Sequence, residues 1–432
     1  MTTPQESPVI EAVDAIFQER LDQVPVLRQR ADDQGIKKVD SLDDLVPLLF
    51  PHTVYKSYPA AIVDQGRWAQ LNKWLQSLST SDVDVDVTGV ENVDDWILRL
   101  MDHGIYVGAS SGTTGKNSFL PKTAGDLDAM TDAHFAQFAA AGIELENIWH
   151  MVSLSPGEDN PTYRRFGMRV AQTLLRPDAY PPFPAPKSTE GRLAFMGRQA
   201  RLRRAMAEGT ASPDELAAME TEAAERQALT EQILDYNVDQ ILDHADEPLW
   251  FGSFTALLWR LVEKLRERGV KPGDLTGDNV FYTGGGTKGI QLPDDAEEQI
   301  CEMLHVRPER IMKTYGMQEL NIGAERCPEK RYHVPEEKLV VVVLDQPGEA
   351  LVPIDADGLA QGRAAFFDLT IEGRWGGFIS GDRITIDHGA CPCGRPGKTV
   401  LPTIERFSNL VDDDKILCAG TMDAYVRGFI DE

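Results

Sequence analysis

The sequence predicts a mixed α/β protein whose C-terminal part turns β-rich, on three observations. Helical and extended periodicities alternate from residue 249 onward, a glycine-rich turn follows an extended segment, and the β-branched run Val340–Val343 opens a stretch of short strands over 363–388. Residues 9–50 read as helical, with Val9, Val13, Ile16, Phe17 and Leu21 at helical spacing and a second start at Ser41-Leu42-Asp43-Asp44, until Pro51 breaks the pattern. A short apolar run leads into 106–116; a helix is expected at 124–141 and a strand at 148–154. Residues 188–247 are mostly helical, with Ser212-Pro213-Asp214-Glu215 as cap, first-turn proline and capping-box acid. Arg192, Arg198, Arg201, Arg203 and Arg204 ahead of it read as a solvated basic face. Then follow a helix at 254–268, a strand at 279–283, the turn 284–289, a helix at 294–304 and a strand at 310–314.

The composition removes several classes of function. The 432 residues suffice for two or three subdomains, and 42% hydrophobic content supports real cores. A net charge of −26 repels nucleic acid and anionic membrane surfaces, so neither is expected as a partner. Five cysteines are too few for a disulfide scaffold, and neither a signal peptide nor a membrane-length apolar run is legible. The expected setting is soluble and cytoplasmic.

Chemistry concentrates first in Ser110-Ser111-Gly112-Thr113-Thr114-Gly115-Lys116, where four hydroxyls, two glycines and a lysine occupy seven positions. Glycines turn backbone N–H groups toward an anion and the lysine adds charge, which suits a phosphate, with the triphosphate of ATP as the expected ligand. The spacing is not that of a Walker A loop, and a surface turn has a similar composition. Asn279–Thr283 then runs into Gly284-Gly285-Gly286, where a backbone without side chains admits a flat base; a glycine-rich hairpin would look the same. Tyr315-Gly316-Met317-Gln318-Glu319 combines a stacking ring, a glycine and a carboxylate for a divalent ion. Ser380-Gly381-Asp382 ends a strand on an acid suited to two ribose hydroxyls, and is equally an ordinary turn.

The order of these motifs, closed by Arg406, resembles the adenylate-forming acyl-activating superfamily, whose members convert a carboxylate and ATP to an acyl-adenylate. Val54-Tyr55-Lys56-Ser57 and Gly284-Gly285-Gly286-Thr287-Lys288 are similar to the acyl-protein synthetase branch, and Cys391-Pro392-Cys393-Gly394-Arg395 to the phenylacetate–CoA ligase branch. The resemblance implies two doubly wound α/β subdomains and a smaller β-rich one, with residues 1–405 as the adenylation core. It implies that Ser110–Lys116 hold the β,γ-phosphates, Gly284–Gly286 and Tyr315 the adenine, Glu319 a Mg²⁺ ion, Asp382 the ribose, and Arg406 a phosphate or ribose oxygen. Gln318 stands where a threonine is usual, and Glu405 where the hinge glycine is usual. Residues 406–432 are expected to be a short tail in place of the superfamily's mobile lid domain. The implied activity is release of pyrophosphate from ATP by a small carboxylic acid, then acyl transfer to a thiol or another acceptor. A CoA ligase and a non-catalytic nucleotide-binding scaffold are the alternatives.

Cys327, His333, Cys391 and Cys393 supply the three sulfurs and one imidazole of a structural zinc set, with His388 as an alternative ligand and unrelated buried thiols as the plain reading. Acyl-protein synthetases carry acyl groups on a C-terminal cysteine, which the resemblance places at Cys418. The neighbouring Asp412, Asp413 and Asp414 would raise that thiol's pKa if close in space, and a buried structural thiol is the other reading.

Overall fold

A computed structural model of the protein describes residues 6–431 apart from 111–115, 155–163, 185–190, 285–290 and 412–413. The N-terminal region is helical, as its spacing predicts: helices Glu6–Gln23 and Pro25–Gln34, then a short turn of helix, Leu42–Leu45, whose Ser41 cap accepts a hydrogen bond from the Asp44 N–H. A two-residue strand, β1 (Phe50–Pro51), follows, then helix Trp68–Leu78 and a hairpin of β2 (Tyr106–Ser110) with β3 (Ser118–Lys122). Ser110 pairs with Ser118 at the end of this hairpin.

Four parallel strands come next: β4 (His150–Ser153), β5 (Leu249–Gly252), β6 (Val280–Gly284) and β7 (Ile311–Tyr315). Their side chains alternate between two cores. Phe251 and Phe281 face a cluster with Leu234, Val238, Leu258, Leu261 and Ile300 from helices Pro213–Asp243, Thr255–Glu267 and Ala296–Met303. Trp250, Val280 and Met312 point the other way, toward Phe135 and Phe138 of helix Ala124–Ala140. Helices on both faces explain why β5 and β6 open on continuous apolar runs, Leu249–Phe251 and Val280–Tyr282.

The chain then turns antiparallel through β8 (Ala324–Arg326), β9 (Tyr332–His333), β10 (Leu339–Leu344), β11 (Leu359–Asp368), β12 (Gly377–Asp387), β13 (Thr399–Val400) and β14 (Glu405–Arg406). Parallel and antiparallel belts join in one twelve-stranded sheet, β7 pairing antiparallel with β8. The short strands expected over 363–388 correct to parts of two long ones, β11 of 10 residues and β12 of 11. Both are buried on the two faces over most of their length, which erases the alternation that marks a strand in sequence.

Helix Ala419–Asp431 folds back on the N-terminal core, where Met422, Val426 and Ile430 share a cluster with Trp74 and Leu75. Among the described residues no helix is long and apolar enough to cross a membrane.

Candidate active site

Tyr315 ends β7, and its chain neighbours carry the site. Its phenol donates 3.1 Å to Oδ2 of Asp382, and Arg406 Nε stands 2.9 Å from the other oxygen, Oδ1. Strand register sets this triad: β14 pairs with β12 so that Asp382 lies opposite Arg406. Burial pushes the Asp382 carboxyl above its ordinary value although Arg406 and Tyr315 stabilise its charge, and burial beside that carboxylate holds the Tyr315 phenol well above its own.

Glu319 lies four residues on. Burial pushes its carboxyl up, against the pull of its own backbone N–H and of Arg374, Arg406 and Lys122. The fully buried Arg374 donates to the carbonyls of Glu319 (2.7 Å) and Pro121 (3.0 Å), fastening this loop to the hairpin. Gln318 also reaches the hairpin. A Cβ added at Gly108 would stand 3.1 Å from Lys122 Cε and 3.6 Å from Gln318 Oε1, so β2 approaches both closely because that residue is glycine.

Lys116 donates 2.7 Å to the carbonyl of Tyr58 and lies over that ring at 5.3 Å. It lines a cavity of about 540 Å³ with Thr53, Lys56, Ser57, Pro59, Asp423 and Arg427. Three cations on its wall make the cavity locally positive in a strongly acidic protein. Lys56 also feels the charges of Glu319 and Arg406, so cavity and carboxylates adjoin.

The structure therefore brings together Lys116, Glu319, Tyr315, Gly316, Gln318, Asp382 and Arg406. Gly284 ends β6 opposite Thr314 of β7, at the same edge of the parallel belt, and Ser110 ends β2. Ser111, Gly112, Thr113, Thr114, Gly115, Gly285 and Gly286 lie outside the described residues.

Cys418 is apart from this group. It is half-buried against the N-terminal core, and burial raises its thiol. Asp412 and Asp413 lie outside the described residues, and Asp414 pairs with the buried Arg363; the nearby carboxylate that adds to the shift is Glu349.

Sequence reasoning missed His52, Lys122, Arg374 and Arg427. His52 accompanies Arg406 beside Gly381, and its imidazole is pushed down to about 4 by burial, with Lys56 and Arg406 adding to it. Lys122 is pushed down to about 7 by burial and by Arg374, while Asp126, Asp368 and Glu319 oppose the shift. Both come from segments whose spacing carries no chemical pattern; only Lys56, inside the motif at 54–57, had a signal.

The four zinc candidates converge. Cys327 Sγ is 3.8 Å from Cys391 Sγ, Cys393 Sγ is 3.2 Å from His333 Nε2, and all four ligand atoms lie within 4.8 Å of one another. This group does not include His388. Burial pushes the Cys391 thiol up to about 11; it opposes ionisation of Cys393 too, but hydrogen bonds with the Arg395 backbone and with Cys391 bring that thiol below its ordinary value. Soft sulfur donors with one imidazole, held in tight turns at the β8–β9 and β12–β13 connections, fit tetrahedral zinc.

No protein-family profile and no curated protein sequence matches the chain. Among solved structures it is similar to 2-hydroxyisobutyryl-CoA ligase in complex with 2-HIB-AMP and CoA in the thioesterification state, with TM-score 0.55 and 15% identity over 94% of this chain and 69% of that one. An open conformation of that ligase with 2-HIB-AMP and CoA matches with TM-score 0.55 and 14% identity, over 94% and 74%. At such identity the likeness concerns the fold: the chain has the adenylate-forming ligase fold.

Proposed function

We propose that the protein activates a carboxylic acid with ATP, forming an acyl-adenylate and releasing pyrophosphate. The observation that carries this reading is the meeting of Asp382, Glu319, Lys116 and Arg406 at the carboxyl edge of the parallel strands, beside a cationic cavity. Asp382, already fixed by Tyr315 and Arg406, accepts from the ribose hydroxyls. Glu319 binds Mg²⁺, which supplies charge neutralisation on the phosphates, and a carboxylate that burial disfavours as a lone anion gains from such a cation. Lys56, Lys116 and Arg427 hold the pyrophosphate portion. An oxygen of the substrate carboxylate attacks the α-phosphorus, the bond to the bridging oxygen breaks, and pyrophosphate leaves with that electron pair. No general base is needed, because the attacking carboxylate is ionised at neutral pH. The rate gain comes from alignment and preorganised charge.

Residues 1–405 form the adenylation core in this reading, and Cys327, His333, Cys391 and Cys393 hold a structural zinc that braces the β-rich end carrying Asp382. CoA is the acyl acceptor that the similar ligases favour, since their structures contain CoA; Cys418 would have to ionise against its burial. ATP–pyrophosphate exchange against a panel of carboxylic acids tests the activity. Acid-dependent exchange is the expected result, and a chain that binds ATP without exchange for any acid is a scaffold. Elemental analysis tests the metal: Cys391→Ser is expected to hold about one equivalent of zinc less than the wild type.

A further inference from the structure

A second group of metal-ligand side chains lies at the opposite end of the parallel strands. His150 opens β4, Glu247 stands two residues before β5, and His244 follows the last turn of helix Pro213–Asp243. Main-chain bonds set the three positions: His150 N–H donates 3.1 Å to the Pro248 carbonyl, Glu247 N–H donates 3.0 Å to that of His244, and His244 N–H donates 3.2 Å to that of Gln240. Glu247 Oε1 is 3.0 Å from His244 Nδ1, and its Oε2 is 3.4 Å from His150 Nε2. One ligand atom from each residue falls within 4.8 Å of the others.

His150 is the telling member. It is 1% exposed, yet Nδ1 has no hydrogen-bond partner and Nε2 has only the long 3.4 Å contact with Glu247 Oε2. An unmade hydrogen bond on a buried polar group costs about 1–3 kcal/mol, so a buried imidazole that stacks on the His244 ring at 4.0 Å and turns Nε2 toward the Glu247 carboxylate calls for another partner. The walls suit one. Tyr180 stacks on His150 at 5.5 Å and on His244 at 5.8 Å, and Arg176, itself bidentate on Asp178, holds the Glu247 carboxylate from outside. Carboxylates that bind metals are oriented in this way by a second hydrogen-bonding partner.

We propose that His150, His244 and Glu247 form a site for a borderline divalent transition ion such as Zn²⁺ or Co²⁺, distinct from the cysteine cluster. Two imidazoles and one carboxylate match such ions, whereas Ca²⁺ and Mg²⁺ favour sets of oxygens. The site ties the end of the long helix to β4, which is the last strand of the sheet, and lies away from the strand ends that carry Tyr315 and Gly284. Its role is to brace that edge.

Cobalt distinguishes the two clusters, because thiolate ligands produce intense charge-transfer absorption and a His/Glu site produces weak d–d bands alone. Metal-free full-length protein titrated with Co²⁺ is expected to fill a site without thiolate bands. That site is lost in His244→Ala and in the near-isosteric Glu247→Gln, while the thiolate bands and the circular dichroism stay unchanged. Zinc is likewise expected to raise the melting temperature of a Cys391→Ser/Cys393→Ser variant, but not after Glu247→Gln is added. Equal cobalt uptake by wild type, His244→Ala and Glu247→Gln overturns the proposal, as does a zinc-induced shift that survives Glu247→Gln.

Discussion

Asp126, fully buried, and Glu319, half-buried, are carboxylates linked through the same lysine, and their surroundings push them in opposite directions. Asp126 is fully buried at the start of helix Ala124–Ala140 and accepts hydrogen bonds from Asn321 Nδ2 (2.8 Å) and from the N–H groups of Thr123 (2.8 Å), Glu372 (2.8 Å) and Gly373 (2.9 Å). Burial alone would raise its carboxyl; the Arg374 charge and these hydrogen bonds reverse that and hold it below its ordinary value. Glu319 has the same guanidinium nearby, yet Arg374 gives its N–H groups to the Glu319 and Pro121 carbonyls, and the carboxyl stays raised. Asn321 joins the two regions, accepting from Lys122 (3.0 Å) and donating to Asp126. A carboxylate saturated with donors is part of the scaffold; one left short of them at a strand edge is poised for a ligand.

Removing the saturated member is expected to do the larger damage to the fold. Asp126→Ala strands Asn321 and three main-chain N–H groups, and urea unfolding should show a loss of about 3–5 kcal/mol. A loss near that of an ordinary surface substitution would erase the distinction. Glu319→Gln should not lower the unfolding free energy at neutral pH, yet should reduce ATP–pyrophosphate exchange by about 10²–10³-fold; Lys116→Ala should reduce exchange to the same extent, since each removes one preorganised charge contact. Wild-type exchange in both would refute the site.

The two carboxylates should also differ in the sign of their pH dependence. Asp126 is depressed, so its contribution is present above the unfolded carboxylate value of about 4 and lost as pH falls. Glu319 is raised, so the stability it confers is present below about 4 and lost as pH rises through its raised value. Unfolding free energy measured against pH should therefore lose its acid limb in Asp126→Asn and flatten on the other side in Glu319→Gln. Lys122, depressed to about 7, adds stability between about 7 and 10.5 that is lost as pH falls; Lys122→Met should remove that slope. The smallest effect is expected from Cys418→Ser: unchanged exchange, and no thioester lost when labelled acid and ATP are trapped on the protein.

How much of this was legible depends on whether a residue's role is local. The helices around Ser41 and Ser212 announce themselves because a cap bonds an N–H three residues away. Tyr315 and Glu319 stood in one short motif, since a strand end and the turn after it lie close in sequence; Asp382, read from the sequence as the end of a strand, instead lies in the middle of β12, which continues to Asp387. Lys122 and Arg374 did not: they are 252 positions apart, and each matters only through a loop that neither adjoins. His150 gave no sign either, as its partners come from the far end of a helix that begins sixty-three residues later.

The sequence by itself determined the alternation of helix and strand and singled out the four side chains that converge in the cysteine–histidine cluster, because periodicity and short motifs act over a few bonds. Tertiary structure alone decided which carboxylate is saturated and which is not, that β12 and β14 set Asp382 opposite Arg406, and that one sheet joins both belts. Those outcomes depend on burial and register. Both are properties of chain segments brought together across hundreds of residues, where desolvation makes each missing or added hydrogen bond count.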